Sequence, residues 1–168
     1  MAIQTYDPSQ VDLYLAILYP ATGFSPDSLI TITKDQGYFN TSKGVSGGVE
    51  RTLITDNTYT LEVSLSQTSP TNSILNALAT LDNLSGYGVF PIFAKDSSGN
   101  SNFIADSCWI ENPPETRYTT NIESRVWRIR CSNMIFNLAG NSEDRNALEK
   151  MGQLTNLIGQ FGGNYGLF

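Results

Sequence analysis

The clearest regularity along the chain is alternation. From Thr58 to Ser66, the apolar residues Tyr59, Leu61, Val63 and Leu65 interleave with Thr60, Glu62, Ser64 and Ser66. Successive side chains of a strand point to opposite faces, so a period of two predicts a strand with one buried and one polar face. Val11 to Tyr19 places Val11, Leu13, Leu15, Ile17 and Tyr19 on one side and Asp12, Tyr14, Ala16 and Leu18 on the other. That pattern predicts a single strand covered on both faces. Leu29–Lys34, Tyr87–Ala94, Asn102–Ile110 and Ser124–Cys131 complete six strands, and weaker strand patterns lie at Tyr38–Ser42 and Val49–Ile54. Turn chemistry separates them at Asp35-Gln36-Gly37, Asp56-Asn57, Ser97-Ser98-Gly99-Asn100 and Asn112-Pro113-Pro114.

Two stretches change period. After Ser69, a helix cap, Pro70 occupies a first helical position where its missing N–H is harmless. Ile74, Leu75, Leu78 and Leu81 then form one stripe, and Gly86 ends the helix. A second helix is predicted from Glu143 to about Gln160, capped by Ser142, with Glu143 and Asp144 at its positive end. Its apolar line is Leu148, Met151, Leu154, Leu157 or Ile158, and Phe161. Gly152 and Gly159 each weaken it by about 1 kcal/mol relative to alanine, so it needs a partner surface. The segment Gly162 to Phe168 reads as a docking arm, with Tyr165 and Phe168 as candidate subunit contacts.

The 168 residues suit one domain, with a core at about 11–140 and the C-terminal helix and arm at 141–168. Charged residues make up only 15%, against about 25% in ordinary soluble domains, and Ser, Thr and Asn number 48. Depletion of charge suits a protein whose surface is consumed by contacts. Histidine is absent, which removes the commonest general base and metal ligand. The net charge of −6 argues against gripping nucleic acid by its phosphates. Met1 to Gln10 lacks a secretory pattern, and the apolar run Leu13 to Tyr19 is far shorter than the ~20 residues of a membrane span. Cys108 and Cys131 are expected as two buried thiols.

Candidate chemistry is thin. Gly44-Val45-Ser46-Gly47-Gly48 matches a nucleophile-elbow string, but no histidine exists to activate the serine and no helix follows, so a glycine-rich mobile loop is the better reading. The sequons at Asn40 and Asn83 lack a secretory context. Glu62 has no second carboxylate placed beside it, and no metal-ligand spacing occurs. No catalytic residue, cofactor or metal is therefore expected. Arg128 and Arg130 share a strand face with Val126, while Arg125 lies with Trp127, Ile129 and Cys131. The arginines suit pairing across strands or subunits, with acids such as Glu62 or Glu123.

The run from Leu61 through Thr68-Ser69-Pro70-Thr71-Asn72 to Leu75 resembles the strand, Thr-Ser-Pro-x-Asn, helix segment of small tail tube proteins from contractile-tailed bacteriophages. Pro114-Glu115 with Tyr118, followed by the Val126, Trp127 and Ile129 strand, resembles that family's closing hairpin. The resemblance covers roughly Leu29 to Asn141. It departs in the basic Arg125, Arg128 and Arg130, where the family's closing strand tends to be acidic, and in the extension past Asn141.

The resemblance implies a mainly β fold of two antiparallel sheets packed as a sandwich or small barrel, with one flanking helix and a C-terminal helix, forming a hexameric ring. Stacked rings would make the inner tail tube, a conduit for DNA ejection that DNA crosses without specific binding. Itself, sheath, tape-measure, baseplate and neck proteins are the implied partners, with no membrane. The implied location is the virion tail, assembled in the host bacterial cytoplasm. Asp35, Tyr38, Asn40, Lys43, Gly44, Gly47, Glu50 and Arg51 are candidate ring-stacking residues, with an ordinary hairpin as the other reading. Thr60, Glu62 and Ser64 are candidate lumen residues, and Arg128 and Arg130 candidate subunit contacts. A rival reading from a different class is a β-sandwich carbohydrate-binding module of a phage or bacterial surface protein.

Overall fold

The alternating segments pair laterally into continuous rows of side chains. In a computed structural model that describes residues 7–97 and 101–138, they are β1 (Val11–Leu15), β2 (Tyr19–Pro20), β3 (Ile30–Lys34), β4 (Phe39–Lys43), β5 (Val49–Leu53), β6 (Thr58–Ser66), β7 (Phe90–Asp96), β8 (Asn102–Asn112) and β9 (Ser124–Asn137). One helix, α1, spans Thr71–Ser85. Seven strands form an antiparallel sheet in the order β2-β1-β7-β8-β9-β6-β3, and β4 and β5 form a second, two-stranded sheet. The fold is thus mainly β with two antiparallel sheets, as expected.

The inward rows explain the stability. Ile110, Ile129, Leu61 and Ile32 are successive register partners, as are Leu15, Ile92, Ala105 and Met134. Both rows belong to one core, in which Leu15, Leu61, Ile92, Ala105 and Ile129 are almost wholly buried. Burying a side chain of leucine size contributes about 1.5–3 kcal/mol. The β2–β3 connection joins the two ends of the strand order. Along it the Ala21 N–H donates to Leu13 O (2.7 Å), and the Ser25 N–H donates to Ser64 O (2.9 Å). One segment thereby bonds to β1 and to β6, and the large sheet rolls around its core. Cys108 and Cys131 face each other across β8 and β9 as free, buried thiols, as expected.

α1 covers the β8 side of the roll. Ser69 caps it as predicted: its Oγ accepts from the Thr71 N–H (3.2 Å) and donates to Thr22 O (2.5 Å). Gly86 ends it in the left-handed conformation, φ +72°, with its N–H on Asp82 O (2.8 Å). Leu75 is fully buried and Leu78 and Ala79 pack against the core, but Leu81 and Leu84 are exposed, so the packed stripe is shorter than predicted.

Most strand bounds shift by one or two residues from the sequence reading, and three departures are larger. Val11–Tyr19 is not one strand. Beyond Leu15 the neighbouring β7 reaches Pro91, which has no N–H to extend the ladder. The Ala16 N–H takes the Pro91 carbonyl (2.8 Å) and the chain turns back, with Ala16 at φ +50° and Ile17 at +67°. Tyr87–Val89 is not strand, because it follows the helix end: the Gly88 N–H donates to Asp82 Oδ1 (3.1 Å) and holds it there. β9 runs past Cys131 to Asn137, paired throughout with β8. The predicted helix at Glu143–Gln160, the arm, and the Ser98-Gly99-Asn100 part of the turn lie outside the described residues.

Candidate assembly surfaces

The β3–β6 connection rises from the roll as the β4–β5 hairpin. Phe39 faces Leu53, Thr41 faces Arg51 and Lys43 faces Val49 on one side, while Asn40 faces Thr52 and Ser42 faces Glu50 on the other. All ten strand residues are exposed. The base is fixed firmly. Lys34 Nζ donates to Asp56 O (2.7 Å) and lies 5.1 Å from the Tyr38 ring centroid and 5.3 Å from that of Tyr59. Burial, then the hydrogen bond with Tyr38, holds the Tyr59 hydroxyl above its ordinary pKa. At the tip the Gly44 N–H donates to Gly48 O (2.8 Å), and the Gly47 N–H donates to Gly44 O (3.0 Å) with Gly47 at φ +84°. The Gly44–Gly48 string is therefore a hairpin turn, neither a nucleophile elbow nor an unpaired loop.

A two-stranded hairpin is at best marginal in water unless a further surface covers it. Phe39, Val49 and Leu53 stand 47%, 65% and 63% exposed, and Val45 at the tip is fully exposed. The Arg51 guanidinium lies over the Phe39 ring at 4.6 Å. The predicted stacking residues Tyr38, Asn40, Lys43, Gly44, Gly47, Glu50 and Arg51 all fall on this hairpin or its base. Reading the segment for glycine and charge missed Phe39, Val45, Val49 and Leu53, which share one parity but are interrupted by Thr41, Lys43 and Arg51, so no apolar alternation marks them.

Asp35 belongs to a different cluster, at the root of the hairpin. Its Oδ1 accepts from Thr60 Oγ1 (2.6 Å), and its Oδ2 accepts from Arg130 Nη1 (2.5 Å). Arg130 Nη2 reaches Glu111 Oε2 at 2.8 Å, so one guanidinium bridges two carboxylates. Burial raises the Asp35 pKa, but hydrogen bonds from Thr60, Arg130 and Thr58 and the guanidinium charge outweigh it, leaving the carboxyl below its usual range. Hydrogen bonds to Glu111 and Asp35 likewise hold Arg130 above its ordinary value.

On the same polar face Arg128 Nε donates to Glu62 Oε1 (2.9 Å). Thr60, Glu62 and Ser64 share the face but not its accessibility: Ser64 is only 9% exposed. Arg128 and Arg130 both pair within their own chain. Tyr165 and Phe168 lie outside the described residues. A groove beside Glu62 is lined by Arg117, Glu123, Arg125 and Arg128 among others, with no aromatic side chain on its walls. Among the described residues no group of three metal-ligating side chains converges.

The fold is similar to that of components of contractile injection systems. The anti-feeding prophage tube-terminating cap superposes with a TM-score of 0.56 at 10% identity, covering 83% of this chain and 95% of that one. The sheath/tube terminator of the extracellular contractile injection system PVC, in its extended state, gives 0.57 at 9% identity, covering 82% and 100%. A chain of the PVC sheath–tube complex gives 0.52 at 9% identity, covering 80% and 93%. No family model matches the chain. In sequence it is 30% identical over 146 residues to structural protein ORF10 of Pseudomonas phage KPP10, covering 83% of this chain and 84% of that protein. The chain belongs to the family of that phage structural protein.

Proposed function

We propose that this protein is a self-assembling structural component of a phage tail, forming rings that stack through the β4–β5 hairpin. In this reading it catalyses nothing. The observation that carries the proposal is the freestanding hairpin. Its apolar row is exposed in the single chain and its base is rigidly pinned, as a connector to a neighbouring ring requires. Kinship to a phage structural protein and the fold shared with tube and terminator components support the same reading. Six copies per ring, stacked as an inner tube with Glu62 and Thr60 towards the lumen, complete it. DNA would cross that lumen during ejection. The −6 charge would disfavour its retention there, because carboxylates repel phosphates within a Debye length of ~8 Å. Sheath, tape-measure, baseplate and neck proteins are the partners such a tube meets, in a virion tail assembled in the host cytoplasm. Two of the solved neighbours named above are terminators, which favours a tube-ending variant of the same assembly.

Negative-stain electron microscopy at increasing concentration tests the proposal. Hollow filaments identify the tube, and rings that never extend identify the terminator. A protein that stays monomeric at all concentrations, with and without preformed tail structures as template, rejects both.

A further inference from the structure

Two surfaces at opposite ends of the roll have matching chemistry, and the strand register fixes which ends these are. β3 and β6 meet at Lys34 and Tyr59, and there the Asp35 N–H donates to Thr58 O (3.1 Å), so the hairpin is rooted at that end. The far end collects the last residues of β1, β6 and β8 and the first of β7 and β9. Its pairs are Leu15 with Ile92, Phe90 with Cys108, Asn112 with Arg128 and Ser66 with Ser124. The β1–β2 turn and the C-terminal turn of α1 lie there too. The Ala16 N–H bonds to Pro91 O (2.8 Å) and the Gly88 N–H to Asp82 Oδ1 (3.1 Å), which ties both to the entry of β7.

This far end is apolar where it meets solvent. Leu18, Leu84 and Tyr87 are 88%, 80% and 82% exposed, and Ile17, Leu81 and Val89 are exposed as well. Ile17 is held at φ +67°, a conformation in which a β-branched side chain is strained and glycine would not be. Its exposed side chain returns little within the single chain, so the strain points to a contact outside it. The charge is one-sided. Between Gln67 and Ala94 the sequence has one charged residue, Asp82, and α1 has no basic residue in its last turn. The free carbonyls at the helix end and the Asp82 carboxylate therefore leave this surface negative. The hairpin is the reverse. Phe39, Val49 and Leu53 share their face with Lys43 and Arg51, and neither cation pairs with an acid among the described residues.

We infer that the β4–β5 hairpin of one copy docks on the far end of a second copy in the next ring. Phe39, Val49 and Leu53 meet Leu18, Leu84 and Tyr87, with Lys43 and Arg51 towards Asp82 and the end of α1. This rests on the hairpin being the ring connector and adds the surface that receives it. Donor and receiver lie at opposite ends of one chain, so the contact does not close on itself and repeats from ring to ring.

Complementation between defective variants tests it. Leu18→Lys and Leu84→Lys each set a cation against Lys43 and Arg51 at the contact. Both positions are exposed in the single chain, and a lysine near a helix C-terminus favours the helix, so these chains should fold with unchanged Tm. Each should give at least about tenfold fewer stacked rings than wild type in electron micrographs, as one buried unpaired charge entails. Val45→Asp should block stacking from the hairpin side. Rings of Leu84→Lys keep the hairpin and rings of Val45→Asp keep the receiving end, so mixing them should give two-ring particles that grow no further. Normal stacking by both lysine variants overturns the inference and leaves the hairpin reading intact. So does a mixture without ring pairs. Unfolding of both lysine variants overturns it as well, by showing that these side chains serve the chain itself. Normal stacking by Val45→Asp overturns the hairpin reading and this inference with it.

Discussion

Trp127 Nε1 donates a buried 2.9 Å hydrogen bond to Asn72 Oδ1 across 55 residues of chain. Asn72 Nδ2 also donates to Ser66 O (2.9 Å) and Ser69 O (3.0 Å). One amide thus ties the end of β6, the cap of α1 and the first part of β9 together. Its place three residues after the capping serine has a physical cause. That spacing turns the side chain back onto the Ser66 and Ser69 carbonyls of the strand-to-helix turn, which also accept from the Ser69 and Asn72 N–H groups. Asn72→Ala leaves Trp127 Nε1 without its acceptor and removes two further hydrogen bonds to carbonyls that keep their backbone donors, and is expected to cost about 2–4 kcal/mol. Trp127→Phe leaves only Asn72 Oδ1 unpaired, at about 1–3 kcal/mol. Urea unfolding of both variants and the double mutant should give a coupling of about 0.5–3 kcal/mol; strict additivity would show that the bond contributes nothing.

Gly23 and Gly86 have nearly the same backbone angle, φ +73° and +72°, in different surroundings. A Cβ on Gly23 would sit 2.7 Å from Ser69 Cβ, whereas one on Gly86 meets nothing within 4 Å. Gly86→Ala should therefore cost only the left-handed conformation, about 1–2 kcal/mol. Gly23→Ala should cost more, because the added methyl also pushes the helix cap off Thr22. Equal losses of Tm in the two variants would contradict the close approach.

The Asp35–Arg130–Glu111 cluster makes the hairpin root sensitive to acid. The Asp35 pKa is depressed in the fold. Its stabilising contribution is thus complete above the unfolded carboxylate value of about 3.9 and is lost as pH falls through the lower folded value. Wild type should lose stability on acidification below about pH 4 more steeply than Asp35→Asn, and the two should run parallel from pH 6 to 8. Identical acid limbs in thermal melts would remove Asp35 from this role.

The Glu62–Arg128 pair should matter little to the single chain. Its side chains are 35% and 62% exposed, and pairs in such settings contribute at most about 1 kcal/mol. Glu62→Gln and Arg128→Gln should each shift stability by less than about 1 kcal/mol, and 0.5 M salt should erase the difference. A larger loss in the assembled form alone would assign the pair to a subunit contact.

Much of the fold was legible because burial on one face imposes a period of two. β6 follows that rule over nine residues and its bounds were read correctly. The break at Ala16–Leu18 was not legible, since it carries no glycine, asparagine or proline; a proline on the neighbouring strand forces it. The outward direction of Ile104 and Ile135 was hidden for a sharper reason. On β9 the buried Cys131 and Met134 are three residues apart, with Asn133 at φ +52° between them, and on β8 the buried Ala105 and Cys108 are also three apart. Counting by twos from either cysteine puts Ile104 and Ile135 inside, yet both face outwards. The arginines of β9, by contrast, read as pairing across strands or subunits with acids such as Glu62 or Glu123, and Arg128 does pair with Glu62 across the β6–β9 ladder.

The hairpin gives the most direct separation of folding from assembly. Val45 and Val49 touch little in the single chain, so Val45→Asp and Val49→Asp should leave Tm and the urea midpoint almost unchanged, within about 0.5 kcal/mol. If ring stacking buries that apolar row, each introduced carboxylate would be desolvated at the contact without a partner, a cost of several kcal/mol per interface. The same cost recurs around the ring, so a modest defect in one hairpin becomes a complete block to stacking. The variants should yield folded chains and at most single rings by electron microscopy, under conditions where wild type gives stacked particles. Stacks of normal length from both variants would remove the hairpin from the contact. Unfolded variants would instead show that the apolar row stabilises the chain itself.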